Sequence, residues 1–415
     1  MSKTNSTQLH ESAPHTGTYF PALDTTRAIG AIAVLGTHAA FMSGAYLRHG
    51  IWGSLLAHLD VGVAIFFVLS GFLLSRQWLV KRVQGNPLPP VPDYFWKRFL
   101  RIYPVYLVGI LPALLWVGQD VDLWPTRWLT NLLMVDLYFF SPLPHGMTQM
   151  WSLATEVAFY LFLPVLIWIL VGRRSSSTGQ GNPVLNPIRM SLVLGGLVII
   201  NLAWFPAIRQ IELSPGAPNL SQWLPAYLSW FAVGVALAWA QLVATHPTGP
   251  LPGPVRWLQH WAAAPWSCLF AAGSLLLFSS TPITGPIFLS LPTVGEQITK
   301  TLSYALIGAL VVLPGVFLQK SGFYQQAMTA RIPRHIGLIS YGVFCIHLPI
   351  LSLIYWATPY QMFTGHGWEV FFIALALSLV AAELIHRLVE LPSNRLRNLF
   401  ARPSQKTAES IRVSD

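Results

Sequence analysis

LDTTRAIGAIAVLGTHAAF, Leu23 to Phe41, puts an arginine at the head of an apolar run and a histidine eleven residues later. Eleven steps of about 100° on an α-helix return to within about 20° of the start. Arg27 and His38 therefore share a face, about 16 Å apart along the axis at 1.5 Å per residue. If the run crosses a bilayer, Arg27 lies at one interface and His38 near mid-depth. An ionisable group at that depth is expensive, and it marks a functional site by default.

The chain has 415 residues, 53% of them hydrophobic and 10% charged, with 17 Trp and 23 Phe. Soluble domains carry roughly 25% charged residues. Such proportions describe a polytopic membrane protein and exclude a soluble protein with a large core. The net charge of +10 does not argue for nucleic acid. An excess of Lys and Arg in a membrane protein reflects cytoplasmic loops and anionic lipid. Cys268 and Cys345 both fall inside apolar runs. They read as small core hydrophobes and frame neither a disulfide nor a metal site. Met1 to Thr18 is polar and lacks the apolar core of a signal peptide.

Apolar runs of spanning length, about 17–25 residues, number ten. They cover 25–47, 58–79, 101–118, 151–171, 190–207, 223–243, 264–280, 300–319, 336–357 and 368–388. Leu129 to Phe140 is apolar but too short to cross, and reads as a re-entrant or interfacial helix. An even number of spans puts both termini on one side. Of the 25 Lys and Arg, all but Arg48, Arg127, Arg209 and Lys300 then fall on the side of the termini. That asymmetry makes the terminal side cytoplasmic. The expected fold is all-α: about ten transmembrane helices around a central polar cavity, both termini cytoplasmic. Residues 1–22 and 396–415 read as cytoplasmic tails, the first disordered, and 23–395 as one transmembrane unit. Ser175 to Asn182 and His246 to Pro254 are short flexible links. No internal repeat of the kind common in transporters is apparent.

With this topology the ionisable residues acquire depths. Arg98 and Arg101, three apart in WKRFLRIYP, lie on one helix face at the inner interface. They join Arg27 there. Arginine suits phosphate recognition, so the trio points to a phosphorylated cytoplasmic ligand; lipid snorkelling is the structural alternative for Arg98. Glu156 falls in the outer third of its span, where a carboxylate needs a partner or a wet cavity. His347 is again near the midplane, with Tyr341 six residues below it. Asp60 opens the second span on the outer side, as a cavity group or a helix N-cap. Glu383 and Glu390 read as partners of Arg387 or a neighbouring arginine. A polar path would run from the arginines, past His38, to Glu156 and Asp60. It could carry a proton or ion with a solute. Equally, His38 could act as general base on a hydroxyl attacking a donor held by the arginines.

Several phrases together resemble acyltransferase family 3, integral membrane O-acyltransferases. Arg27 and His38 match its R-x10-H motif, and Arg98 and Arg101 its RxxR. FFVLSGF, Phe66 to Phe72 and containing Ser70, matches a recurring second-helix phrase. Trp151, Ser152 and Glu156 match WSLxxE. Ser340, Tyr341 and His347 match SYxxYxxH, with Phe344 where a tyrosine is common. The matches run in family order from Leu23 to about Arg395. The resemblance implies a bacterial plasma-membrane enzyme that uses acyl-CoA, most simply acetyl-CoA, as a cytoplasmic donor substrate. It implies no permanently bound cofactor and no metal. By the same resemblance His38 and Glu156 are the catalytic candidates, and Arg27, Arg98 and Arg101 bind the CoA. Asp60, Ser70, Trp151, Tyr341 and His347 are candidates for the acceptor or its cavity. Whether His38 is a base or is itself transiently acylated stays open.

The implied acceptor is a hydroxyl of an envelope glycan or glycolipid, such as an acylated trehalose, or a small natural product such as a macrolide. Partners are then lipids, acyl-CoA, the acceptor and an export protein, with no nucleic acid. The chain stops about 25 residues after the last run, which fits a member without the extra C-terminal esterase-like domain. The competing class is a multi-span transporter or flippase for a glycolipid or proton-coupled solute. The arginine cluster fits a phosphorylated donor better than it fits that class.

Overall fold

The apolar runs become helices, and proline and glycine punctuate them. The computed structural model describes residues 19–117, 125–172, 186–212, 218–247, 249–287, 291–317 and 322–396. Residues 1–18, the link at 175–182 and the tail from 397 onward lie outside the described residues. Helix α1 (Pro21–Met42) starts on a proline, whose missing N–H is one of the helix's unpaired donors anyway. It starts four residues before the run at 25–47 and ends five residues before the run does, because Gly44 turns the chain in the left-handed region, φ 77°.

Long helices then follow in order among the described residues: α2 (Val61–Val83), α3 (Val91–Pro112), α4 (Met150–Val171), α5 (Pro187–Glu212), α6 (Leu228–Thr245), α7 (Pro265–Ser279), α8 (Val294–Phe317), α9 (Arg331–Ala357) and α10 (Gly367–Ile385). Within the described residues each expected run is mainly helical. By length and composition eight helices among the described residues can cross a membrane, with α2 continued backward to Ile51. A ninth crossing arises if α7 is joined to the short helix Gly253–Ala262, which meets it at 93°. The seventh run is thus one arm of a bent pair: α7 has 15 residues, about 22 Å at the helical rise, and Pro265 blocks its continuation backward. Leu129 to Phe140 does not cross; it forms the end of the helix Pro125–Leu132 and a 3-10 turn at Asp136–Tyr138.

Helix α1 is long enough to span but falls short of the apolarity of the others. Its position explains this. It packs on α9, α2, α10 and α8, and these neighbours shelter Asp24, Thr25, Thr26 and Thr37, all buried. The outer faces carry the lipid-soluble surface instead. Leu161, Val165 and Trp168 on α4, Ile188, Leu192 and Ile199 on α5, and Trp368, Phe372 and Val380 on α10 are all exposed. In water such a belt would be a liability; around a membrane protein it faces acyl chains. The chain is a multi-pass membrane protein.

Two devices bring these helices into close contact. Small residues allow backbones to touch: a Cβ on Gly337 of α9 would stand 1.8 Å from the Asp24 carbonyl of α1, and one on Gly234 of α6 2.2 Å from the Val68 carbonyl of α2. Prolines inside spans free carbonyls that neighbouring side chains then satisfy. Pro349 leaves the Cys345 carbonyl without its helical donor, and Gln149 Nε2 donates to it at 3.3 Å. Pro164 does the same to the Tyr160 carbonyl, which accepts from Tyr94 Oη at 3.3 Å.

Candidate active site

Two cavities lie along α1, one toward each end. The first encloses about 390 Å³ and is lined by Arg27, Arg98, Arg101, Glu156, Ser70 and Tyr341. All three arginines singled out in the sequence meet there. Two carboxylates, Asp24 and Glu156, line the same cavity. Arg27 pairs with Asp24 at 3.3 Å, and Asp24 in turn accepts from Tyr19 Oη at 2.5 Å. Arg334 donates to that Tyr19 oxygen at 2.7 Å. Outside the spans, Tyr19 has its phenol pKa raised, first by burial and then by the Asp24 contact. Glu156 accepts from Ser70 Oγ and, at 2.6 Å, from Tyr160 Oη. It also acts electrostatically on Arg27.

The second cavity encloses about 690 Å³. His38 lines it with Asp60, Lys300, Gln149, Trp151 and Tyr46 among others. Behind His38 stands His347, 1% exposed, with its Nε2 3.0 Å from His38 Nδ1. His347 Nδ1 lies 2.7 Å from the Phe344 carbonyl and 3.2 Å from that of Val343. Carbonyl oxygens only accept, so Nδ1 of His347 carries a proton. With both rings neutral, Nε2 of His347 then accepts, and Nδ1 of His38 donates to it. This chain of hydrogen bonds leaves Nε2 of His38 as the ring nitrogen with a free lone pair.

Facing His38 across this cavity is an ion pair. Asp60 accepts from Lys300 Nζ at 2.8 Å and from Tyr304 Oη. His58 extends the group, bonding Thr284 Oγ1 at 3.0 Å and the Ser54 carbonyl at 2.7 Å. Trp151 lies against Tyr227, ring centroids 5.0 Å apart. An aromatic face beside a carboxylate, an ammonium and an amide is the kind of wall that binds a polyhydroxylated molecule. Val63, Ser152 and Phe344 line both cavities and so form the seam between them.

The structure gives each expected residue its surroundings and corrects two expectations, the depth of Glu156 and the partner of Glu390. Glu156 lies on the Arg27 side of His38, not beyond it, because α4 passes Trp151 and Ser152 at the seam before it reaches Glu156. Tyr341 lines the arginine cavity, but its hydroxyl already donates to the Ile102 carbonyl at 2.9 Å, which ties α9 to α3. Asp60 makes no side-chain cap bond at the start of α2; its carboxylate is held by Lys300 and Tyr304. Glu383 does pair with Arg387, at 2.5 Å, and with His335, whereas Glu390 pairs with His386 at 2.7 Å rather than with an arginine. Ser70 belongs to the arginine cavity, Trp151 and Asp60 to the histidine cavity. Lys300, Tyr304, His58, Gln149 and Tyr160 were not singled out in the sequence. Lys300 carried a signal nonetheless, as one of four basic residues on the sparse side of the charge tally. Among the described residues no group of three or more His, Cys, Asp and Glu could hold a metal ion.

A model of a family described as an acyltransferase domain matches residues 20–387. Among curated proteins, the peptidoglycan O-acetyltransferase OatA of Listeria monocytogenes is 22% identical over 90% of this chain and 56% of its own length. A Bacillus subtilis protein, provisionally named a peptidoglycan O-acetyltransferase, is 23% identical over 90% of this chain and 55% of its own length. A Staphylococcus aureus protein, provisionally named an O-acetyltransferase, is 23% identical over 93% of this chain and 59% of its own length. The chain spans little more than half the length of the curated relatives it matches. No solved structure matches the chain.

Proposed function

The chain belongs to the acyltransferase domain family, and from that premise we propose that it is a membrane O-acyltransferase moving an acyl group from acyl-CoA to a hydroxyl of an envelope glycan. The observation that carries this reading is one helix joining two unlike cavities. Helix α1 holds Arg27 in a cavity of arginines and His38 in a cavity walled by an aromatic ring and an ion pair. The first suits the phosphates of a CoA thioester, the second a sugar. The names of the relatives support acetyl as the group and a wall glycan as the acceptor. A glycolipid fits the same cavity.

In this reading CoA is a substrate whose phosphates lie against Arg27, Arg98 and Arg101, with its pantetheine arm directed along α1. The acceptor hydroxyl comes to Nε2 of His38. That nitrogen takes the hydroxyl proton as the oxygen attacks the thioester carbonyl. The C–S bond breaks, and the departing CoA thiolate recovers the proton from His38. His347 keeps Nδ1 of His38 as the donor, so that Nε2 is the base, and it steadies the imidazolium that forms. Glu156, bonded by Ser70 and Tyr160, positions the arginines rather than touching the reacting atoms. The positive-inside asymmetry supports a cytoplasmic arginine cavity, and with it cytoplasmic termini and a plasma-membrane location.

The test is transfer from radiolabelled acetyl-CoA to glycan in purified, reconstituted protein. His38→Ala is expected to abolish transfer while CoA still binds, and unchanged transfer would remove His38 from the mechanism. Arg98→Ala and Arg101→Ala are expected to raise the donor KM, and the double variant to raise it further. Calorimetry finding CoA affinity unaltered in the double variant would place the donor elsewhere.

A further inference from the structure

We propose that Phe344 sets the length of acyl chain that the protein transfers. The inference rests on the reading above, in which the donor enters through the arginine cavity and reacts at His38. Three observations lead to it. Phe344, with Val63 and Ser152, lines both cavities. A thioester anchored at Arg27 must therefore pass this seam to bring its carbonyl carbon to His38. Phe344 is also near the reacting atoms: its ring centroid is 6.0 Å from that of His347, whose ring is 5.1 Å from that of His38. On its other side stands Phe66, edge to face at 6.3 Å.

With the thioester carbonyl at His38, the carbons beyond it have to lie against this group of rings. Phe344 and Val63 are each 7% exposed, so at the seam an acyl chain meets packed side chains rather than open solvent. An acetyl group adds one methyl beyond the carbonyl and needs almost none. Each further methylene needs space that the Phe344 ring fills, and packed interiors do not yield such space freely. The position of Phe344 on α9 is fixed by the same segment that holds His347, since the Phe344 carbonyl accepts from His347 Nδ1. Its side chain, by contrast, meets Phe66 and His347 through ring contacts that a smaller residue would vacate.

The experiment is a series of acyl-CoA donors, from acetyl to octanoyl, given to reconstituted wild type, Phe344→Ala, Phe344→Trp and Val63→Ala. The reading is the ratio of kcat/KM for butyryl-CoA to that for acetyl-CoA. Phe344→Ala is expected to raise this ratio at least tenfold, and Val63→Ala to raise it less. Phe344→Trp is expected to lower it. Should Phe344→Ala not fold, the direction of the Val63→Ala and Phe344→Trp changes decides. An unaltered ratio in variants that still transfer acetyl would overturn the inference and leave the proposed function standing. A wild type that transfers from no acyl-CoA would overturn both.

Discussion

The pair His38 and His347 shows what one hydrogen bond can decide. A neutral imidazole has one donor and one acceptor nitrogen, and its surroundings choose which is which. Here two backbone carbonyls choose for His347, and His347 chooses for His38. A positioning residue of this kind acts on rate rather than on substrate affinity. His347→Ala is expected to lower kcat by about 10²-fold, the lower end of what a general base contributes, with the donor KM little changed. His347→Gln should recover part of that loss, because its amide oxygen can also accept from Nδ1 of His38. A merely structural His347 would show equal losses in both variants, along with a raised KM. The sequence marked both histidines by their depth in apolar runs. It had no means of joining them, since 309 positions separate them in the chain. The same holds for Asp60, whose partners Lys300 and Tyr304 come from a helix 240 or more residues away. Spacing on one helix is legible; pairing between distant helices is a property of packing.

Among the helices, α1 and α9 form the decisive pair. Each brings one histidine, and Gly337 sets their separation at the other end. A Cβ at that position would lie 1.8 Å from the Asp24 carbonyl, backbone that cannot rotate aside. Gly337→Ala is therefore expected to push α9 from α1 and cost about 1–3 kcal/mol, as overpacking does. It should lower the melting temperature in detergent and reduce transfer by disturbing the His38–His347 bond. An unchanged melting temperature would mean that the two helices part without penalty. The apolar runs made every long helix readable in advance. Their ends were less so, because the stops depend on turn chemistry: Gly44 truncates α1, and Pro265 opens α7 at 93° to the short helix before it. Glu156 was misplaced for a related reason. Its depth in α4 was counted correctly from Trp151, but the seam between the cavities lies at Ser152, four residues before it.

Across the whole molecule, the two cavities give the protein two chemical sides. With the arginine cavity facing the cytoplasm, the turn between α2 and α3 lies inside and that between α9 and α10 outside. This is directly measurable. Cys268 and Cys345 are both buried, so native thiols give little background. A cysteine at exposed Asn86, between α2 and α3, should resist an impermeant maleimide in intact cells, and one at exposed Thr364, between α9 and α10, should react. The reverse pattern would invert the orientation and place the donor cavity outside.

The sheltered position of α1 also bears on how the protein is made. This helix carries Asp24, Arg27 and His38 and is the least lipid-soluble of the long helices. Charged residues disfavour the release of a single helix into the bilayer by the insertion machinery. Yet α1 leaves the ribosome before α2, α8, α9 and α10, the helices that enclose it. It must therefore wait, first with α2, whose apolarity is ample, and at last for α9, which closes over its polar face some 300 residues later. The polar residues proposed for the chemistry are thus also the ones that need the later helices, and α1 is fully enclosed only once α8, α9 and α10 have followed it.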